Sequence, residues 1–258
     1  MERVLLSVQG LSVSVDHEPL IKDINFELRQ GEIVSILGLS GCGKSLTCKA
    51  ILNLLNKRVF DIDGLVSFEK KDIYGLSKKD MCQLRSDLCL IMQNPLTAFN
   101  PLTKIGKQLM ETMILHKKVT KNQAENILKK VLLELNLTNI DWIFNAYPHT
   151  LSGGMLQRLM IGLALALEPK LIIADEITSS IDAATKKAVL EEILRMKKRG
   201  ISVLYVSHDI NEVRYISDRI MVMEKGQIIE EGHVDQIMLA PKHAHTKLLM
   251  TSSLTRTS

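Results

Sequence analysis

The sequence has no long apolar run, no block of like charge and no paired cysteines, and each absence removes a class of protein. Its longest apolar stretch, Leu159 to Leu167, is nine residues, whereas a helix crossing a bilayer needs about 20. Near the N-terminus only Val4 to Leu6 run apolar before Ser7, too short for the apolar region of a secretory leader, so the chain is expected to stay in the cytoplasm. Thirty-three basic against 29 acidic residues give a net charge of +4 with no five like charges in a row, too mild a balance to require nucleic acid. Cys42, Cys48, Cys82 and Cys89 are spaced by six, thirty-four and seven residues; none of these is a CxxC pair, so separate reduced thiols are expected. No internal repeat or low-complexity segment is visible. What remains is a 258-residue chain, 46% hydrophobic and 24% charged, ordinary globular usage for one large or two small domains with a real core.

The apolar pattern changes period along the chain. Val4–Val8 and Leu11–Val15, then Ile24, Phe26 and Leu28 alternating with polar neighbours, read as half-buried strands of an antiparallel sheet. Ile33–Leu37 is a short apolar run that fits a strand buried on both faces, and a helix is predicted from Lys44 to Leu55. Leu88–Gln93 is a further strand candidate. From Asn94 to Thr150 the chain turns helical and Met-rich, with breaks at Pro95 and Pro101. Ala124, Ile127, Leu128, Val131, Leu132 and Leu135 fall at helical spacing behind a Thr120/Gln123 capping signature. Strand and helix alternate again from Leu171, with a helix over 183–199 closed by Gly200, a strand over 201–206 and a helix through Glu212 and Val213. A hairpin over 219–231 precedes a helical tail.

Gly38-Leu39-Ser40-Gly41-Cys42-Gly43-Lys44-Ser45 fits G-x-x-x-x-G-K-[ST] between a predicted strand and a predicted helix. Glycines let the backbone wrap phosphate so that successive N–H groups and the helix N-terminus face the anion; Lys44 neutralises the outer phosphates and the Ser45 hydroxyl is offered to magnesium. Magnesium wants further oxygen ligands, and Asp175 at the end of Leu171–Ala174 supplies one. Glu176 follows, where a carboxylate can polarise water attacking the terminal phosphate. Cys42 stands where positive surroundings would lower a thiol pKa, although a small residue tolerated in the loop is the plainer reading. The twelve methionines lie singly and read as core filling rather than as a soft-metal site.

Leu151-Ser152-Gly153-Gly154-Met155-Leu156-Gln157-Arg158 is a two-glycine turn before an apolar helix, and its place shortly ahead of the acidic strand decides what it is. With this order of motifs the sequence, from Val4 to about Leu249, resembles the ATPase subunit of ABC transporters. The resemblance implies an α/β fold: a RecA-like P-loop core (1–93 and 166–235) with an N-terminal antiparallel β-subdomain, an inserted α-helical subdomain (94–165) and a short tail (236–258). It implies ATP and Mg2+ as cofactors, with Gly38, Ser40, Gly41, Cys42, Gly43, Lys44, Ser45, Leu46 and Asp175 binding the nucleotide and Ser45, Gln93 and Asp175 the metal. Glu176, Gln93 and His208 take catalytic roles, the last as a switch histidine at the terminal phosphate. Ser152, Gly153, Gly154 and Asp182 would contact ATP held by a second ATPase subunit.

Four positions depart from the family pattern: Val15 where an aromatic usually stacks on adenine, Met155 for a glutamine, Ile177 for a proline and Ile181 for a leucine; none removes a catalytic group. The segments from Met92 to Leu102 and from Ser152 to Arg158, with Pro241-Lys242-His243 and Thr246 in the tail, resemble the dipeptide, oligopeptide and nickel importer class, most closely its nickel and metallophore members. Many peptide-importing members continue into a cysteine-bearing segment, and no cysteine follows Cys89 here. The implied assembly is this chain, a paralogous ATPase subunit, two permeases and an extracytoplasmic binding protein, at the cytoplasmic face of the membrane and without nucleic acid. The implied function is powering uptake of nickel or another transition metal, as the ion or a metallophore complex, with oligopeptide or dipeptide import as the alternative. A non-transport ABC ATPase of DNA repair is disfavoured because 58 residues between Gln93 and Ser152 leave no room for a long coiled coil, and one of translation because the chain carries a single phosphate loop.

Overall fold

The computed structural model describes residues 3–179 and 183–254. Strands β1 (Val4–Val15) and β2 (Glu18–Arg29) lead to β3 (Ile33–Leu37), α1 (Lys44–Ile51), β4 (Asp61–Phe68), β5 (Lys71–Asp72), α2 (Lys78–Asp87) and β6 (Leu88–Ile91). Four helices follow: α3 (Ile105–Lys117), α4 (Lys121–Glu134), α5 (Ile140–Asn145) and α6 (Gly153–Leu167). The chain then returns through β7 (Leu171–Asp175), α7 (Ala183–Lys198), β8 (Ser202–Ser207), α8 (Ile210–Ile216), β9 (Arg219–Glu224), β10 (Gln227–His233), α9 (Val234–Leu239) and α10 (Ala244–Leu254). Among the described residues the strands form an antiparallel sheet ordered β2-β1-β4-β5 and a six-stranded sheet ordered β10-β9-β3-β8-β7-β6. In the second, β6, β7, β8, β3 and β9 run parallel, so β6, β7, β8 and β3 end at one edge; only β10 is antiparallel.

Strand periodicity explains why β3, β7 and β8 are buried throughout and mostly apolar. Successive side chains point to opposite faces. Val34, Ile36, Ile173, Leu204 and Val206 join a core with the antiparallel sheet and α1, whereas Ile33, Leu37, Ile172, Val203 and Tyr205 join a second core with the helices. A strand buried on both faces cannot alternate polar and apolar residues. In the helical part, α4 carries the predicted stripe, with Ala124, Leu128, Val131 and Leu132 buried, and the Thr120/Gln123 capping box is formed in both directions. The apolar helix α6 is buried along most of its length; each fully buried Leu on it contributes about 1.5–3 kcal/mol.

Three features differ from the sequence expectations. The two short strands at 4–8 and 11–15 are one strand, β1, whose pairing with β2 slips between Val8 and Leu11; this bulge moves the buried set from Leu6 and Val8 to Leu11 and Val13. Helix α1 stops at Ile51 rather than Leu55, because Asn53 takes a φ of 52° and the Leu54 N–H turns back to the Lys49 carbonyl at 2.9 Å. Strand β4 and helix α2 were not foreseen: β4 buries only Val66 and Phe68, and α2 is mostly polar, its one legible signal being Ser77 capping the Asp80 N–H.

The β9–β10 turn ties the two sheets to the glycine loop. Gly226 donates its N–H to the Cys42 carbonyl and accepts from the Lys22 N–H, both at 2.9 Å. Lys225 and Gly226 both have positive φ, as a two-residue hairpin turn requires, and a Cβ on Gly226 would stand 2.2 Å from the Leu20 carbonyl oxygen. Gly31 has a similar φ of +74° but nothing within 4 Å of its Cβ position. Gly31→Ala is therefore expected to cost the backbone penalty of about 1 kcal/mol, and Gly226→Ala about 2 kcal/mol more through overpacking. Urea denaturation of both variants checks this; equal midpoints would contradict it.

Candidate nucleotide site

Four parallel strand ends meet at one edge of the six-stranded sheet, which is where open α/β sheets bind ligands. From β3 the loop 38–43 runs into α1, whose N-cap Gly43 has φ 111° and gives no side-chain cap. The first N–H groups of α1, those of Lys44, Ser45 and Leu46, lie ahead of the helix's own hydrogen bonds and suit an anion. At Gly38 a Cβ would meet the Met223 carbonyl oxygen at 2.5 Å, so the loop packs directly on β9. Ser40 is exposed, and the Leu46 side chain packs into the core, leaving its backbone as the part that can serve a ligand.

The charged groups predicted from sequence do come together. Lys44, only 4% exposed, donates from Nζ to the Gly38 and Leu39 carbonyls at 2.8 and 3.0 Å and pairs with Glu176 Oε1 at 3.1 Å. Ser45 Oγ donates to Asp175 Oδ1 at 2.9 Å. Asp175 ends β7 and is buried; burial pushes its carboxyl above the ordinary range, partly offset by the Ser45 hydroxyl. Glu176 follows with φ 47°, its N–H held by the Val206 carbonyl at 2.9 Å. This turn aims the carboxylate back over the strand ends: Gln93 Nε2 lies 3.4 Å and His208 Nδ1 3.4 Å from Oε2. Gln93 also reaches Ser179 Oγ at 3.4 Å.

Ser45 and Asp175 present hard oxygen donors side by side, with the Gln93 amide near Glu176, a set that fits Mg2+. At Cys42 the positive surroundings do not prevail: burial pushes the thiol above its ordinary value while Lys44 pulls it down more weakly, so the small-residue reading holds. Ser152 caps α6 by accepting from the Met155 N–H at 3.3 Å. Nothing in the described chain lies within 4 Å of a Cβ built on Gly153 or Gly154, so this helix end is open, and no hydrogen bond described here joins it to the Lys44–Glu176 cluster. Asp182, with Ser180 and Ile181, lies outside the described residues. Of the departures, Ile177 is 2% exposed in the helix-side core, Met155 packs against the same core, and Val15 closes β1 opposite Glu18.

Sequence reading missed what stands behind the site. Buried Tyr205, Thr178 and Glu212 form a polar group under Glu176 and His208; only the position of Glu212 four residues after His208 could have drawn notice. It also missed an apolar groove of about 390 Å³ between the α1–α2–β6 region and the helical part, lined by Leu52, Leu54, Met81, Leu88, Phe99 and Met160 among others.

Comparison with known proteins agrees with this geometry. A family model described as ABC transporter matches residues 21–179. The ATP-binding protein CntD of the metal-staphylopine import system of Staphylococcus aureus is 40% identical over 252 residues, covering 96% of this chain and 93% of that protein. The oligopeptide transport ATP-binding protein OppD of Lactococcus lactis is 38% identical over 235 residues, covering 90% and 70%. Among solved structures, an ATP-binding subunit of an ABC transporter superposes with a TM-score of 0.80 at 24% identity, covering 97% and 99%. A dimeric ATP-binding cassette in a post-hydrolysis state bound to ADP and Pi gives 0.79 at 24% identity, covering 89% and 99%. The chain belongs to the ABC transporter family, as an ATP hydrolase coupled to transport.

Proposed function

We propose that this chain is the ATPase of an importer, that it hydrolyses Mg-ATP at the strand edge described above, and that its cargo is a transition metal carried as a metallophore complex. The observation that carries the catalytic part is the meeting of Lys44, Gln93 and His208 on the carboxylate of Glu176. Lys44 and the α1 N-terminus hold the outer phosphates. Ser45, Asp175 and Gln93 would hold Mg2+, which would supply positive charge to offset the charge that develops on the phosphates. Glu176 orients the attacking water and takes its proton, with His208 and Gln93 fixing the carboxylate and facing the terminal phosphate. The open N-terminus of α6, with Ser152, Gly153 and Gly154, suits the nucleotide of a second ATPase subunit. Asp182 is assigned to the same interface by resemblance.

The chain has no helix among the described residues long and apolar enough to cross a membrane, and the reading places it at the cytoplasmic face, held by permeases. The groove beside Leu54 and Met160 suits an apolar permease helix; its polar members are Arg85 and His116. The remaining partners in this reading are a paralogous ATPase and an extracytoplasmic binding protein. The metal reading is supported by the similarity to the metal-staphylopine ATPase and by the segments from Met92 to Leu102 and from Ser152 to Arg158. Oligopeptide import is the second reading, favoured by relatives of nearly equal identity.

Glu176→Gln in the assembled transporter is expected to retain ATP affinity and lose about 100-fold or more in turnover; wild-type hydrolysis would overturn the role of Glu176. Leu54→Asp, at an exposed groove position, is expected to weaken co-purification with the permeases while nucleotide binding by the chain is unchanged; undiminished co-purification would remove the groove from the interface. For the cargo, a deletion strain should lose uptake of nickel, cobalt or zinc supplied with a metallophore and keep uptake of labelled peptides. The reverse pattern would establish the peptide reading.

A further inference from the structure

Two segments that flank the candidate chemistry rest on one buried carboxylate. Glu212, in the first turn of α8, is 3% exposed. Its Oε2 accepts from the Tyr205 hydroxyl at 2.8 Å and from Ser207 Oγ at 2.7 Å, and its Oε1 pairs with Lys186 Nζ at 2.7 Å. Tyr205 gives its proton to Glu212, so the contact of 3.2 Å between Thr178 Oγ1 and the Tyr205 oxygen has Thr178 as donor. Lys186 also reaches Asp209 Oδ2 at 3.1 Å, and the Asp209 N–H donates to Ser207 Oγ at 3.0 Å.

The positions in sequence give this network its meaning. Thr178 lies two residues beyond Glu176. Lys186 is in the first turn of α7, on the far side of residues 180–182. Ser207 and Asp209 are the neighbours of His208 on either side. One side chain thus fastens the exit of β7, the start of α7 and the exit of β8. We propose that Glu212 is a positioning residue for ATP hydrolysis: it locks the segment after Glu176 to the segment carrying His208, so that the two move as one body when the second subunit engages. This rests on the reading of Glu176 and His208 as chemical groups of the site.

The network is charged as well as hydrogen-bonded. Burial works against the Lys186 ammonium, but its bonds to Glu212 and Asp209 hold it protonated above the ordinary lysine range. Burial likewise opposes ionisation of Asp209, while Lys186 and the Asn211 N–H keep that carboxyl below its ordinary value. A neutral side chain at 212 would accept the two hydroxyls but present an amide N–H toward Lys186, leaving a buried donor facing a cation.

The test uses the transporter assembled with its permeases, comparing wild type with Glu212→Gln, Lys186→Met and the double variant. Glu212→Gln is expected to lower kcat about tenfold, with KM for ATP and affinity for a fluorescent ATP analogue near wild type and only a modest fall in the thermal midpoint. Lys186→Met, a milder change at a partly exposed residue, should lower kcat less, and the double variant should fall no further than Glu212→Gln alone. Losses that multiply in the double variant, a fall in kcat below about threefold, or a loss of nucleotide affinity and thermal stability matching the loss of turnover would each overturn the proposal. Glu176→Gln measured alongside separates the failures: if it hydrolyses ATP as wild type does, the reading of the site fails, whatever Glu212 does.

Discussion

The carboxylate of Glu176 is the point on which the site depends. It meets a lysine at the start of α1, a glutamine from beyond β6 and a histidine from beyond β8, three groups far apart in sequence and within 3.4 Å of one residue. That convergence needs β6, β7, β8 and β3 parallel and in register, because a one-residue slip would turn the strand ends to the other face. It also needs Glu176 at positive φ with its N–H on the Val206 carbonyl. This conformation costs a non-glycine residue about 1–2 kcal/mol and is held by the neighbouring strand. The parallel core therefore serves the position of one side chain, and the two hydrophobic layers that bury both faces of the sheet keep that core from shifting.

Much of this was legible in the sequence wherever a residue's chemistry and its element coincide. The glycine loop, the acidic residues ending Leu171–Ala174, the α4 stripe and the capping box at Thr120 each carry a local signal strong enough to survive packing. The unread elements lacked one. Strand β4 buries two side chains and leaves the rest at the surface, so its pattern is hardly distinct from a loop, and it exists because β1 offers a long edge to pair with. The early end of α1 is set by a backbone turn at Asn53 rather than by any change in apolar spacing. In β1 two short apolar runs looked like two strands because a bulge shifts the buried positions from even to odd numbers while the same face stays in the core.

The site shows the same division. Groups proposed to face a ligand were readable because a phosphate or magnesium site demands particular residue types. Those that hold such groups in place were not, since a buried Tyr, Thr or Glu looks in sequence like any other residue of its kind. Glu212 drew attention only as a helical position, and the network around it emerges from three segments, 178, 186 and 205–212, that no local window contains together. Likewise the hairpin turn at Gly226 reads as an ordinary surface turn until its N–H is seen on the carbonyl of Cys42.

The ion pair between Lys44 and Glu176 sets the electrostatic character of the site. An ammonium that already has two carbonyls and a carboxylate around it has given up most of its hydration, so an incoming phosphate exchanges one anion for another instead of neutralising a bare cation. The attraction at long range is correspondingly weak and short-range geometry decides what binds. The exchange also has a second product. A carboxylate that gave up its lysine to a phosphate would be left with Gln93 and His208 as its nearest partners, so filling the site would change the surroundings of Glu176 as much as those of Lys44.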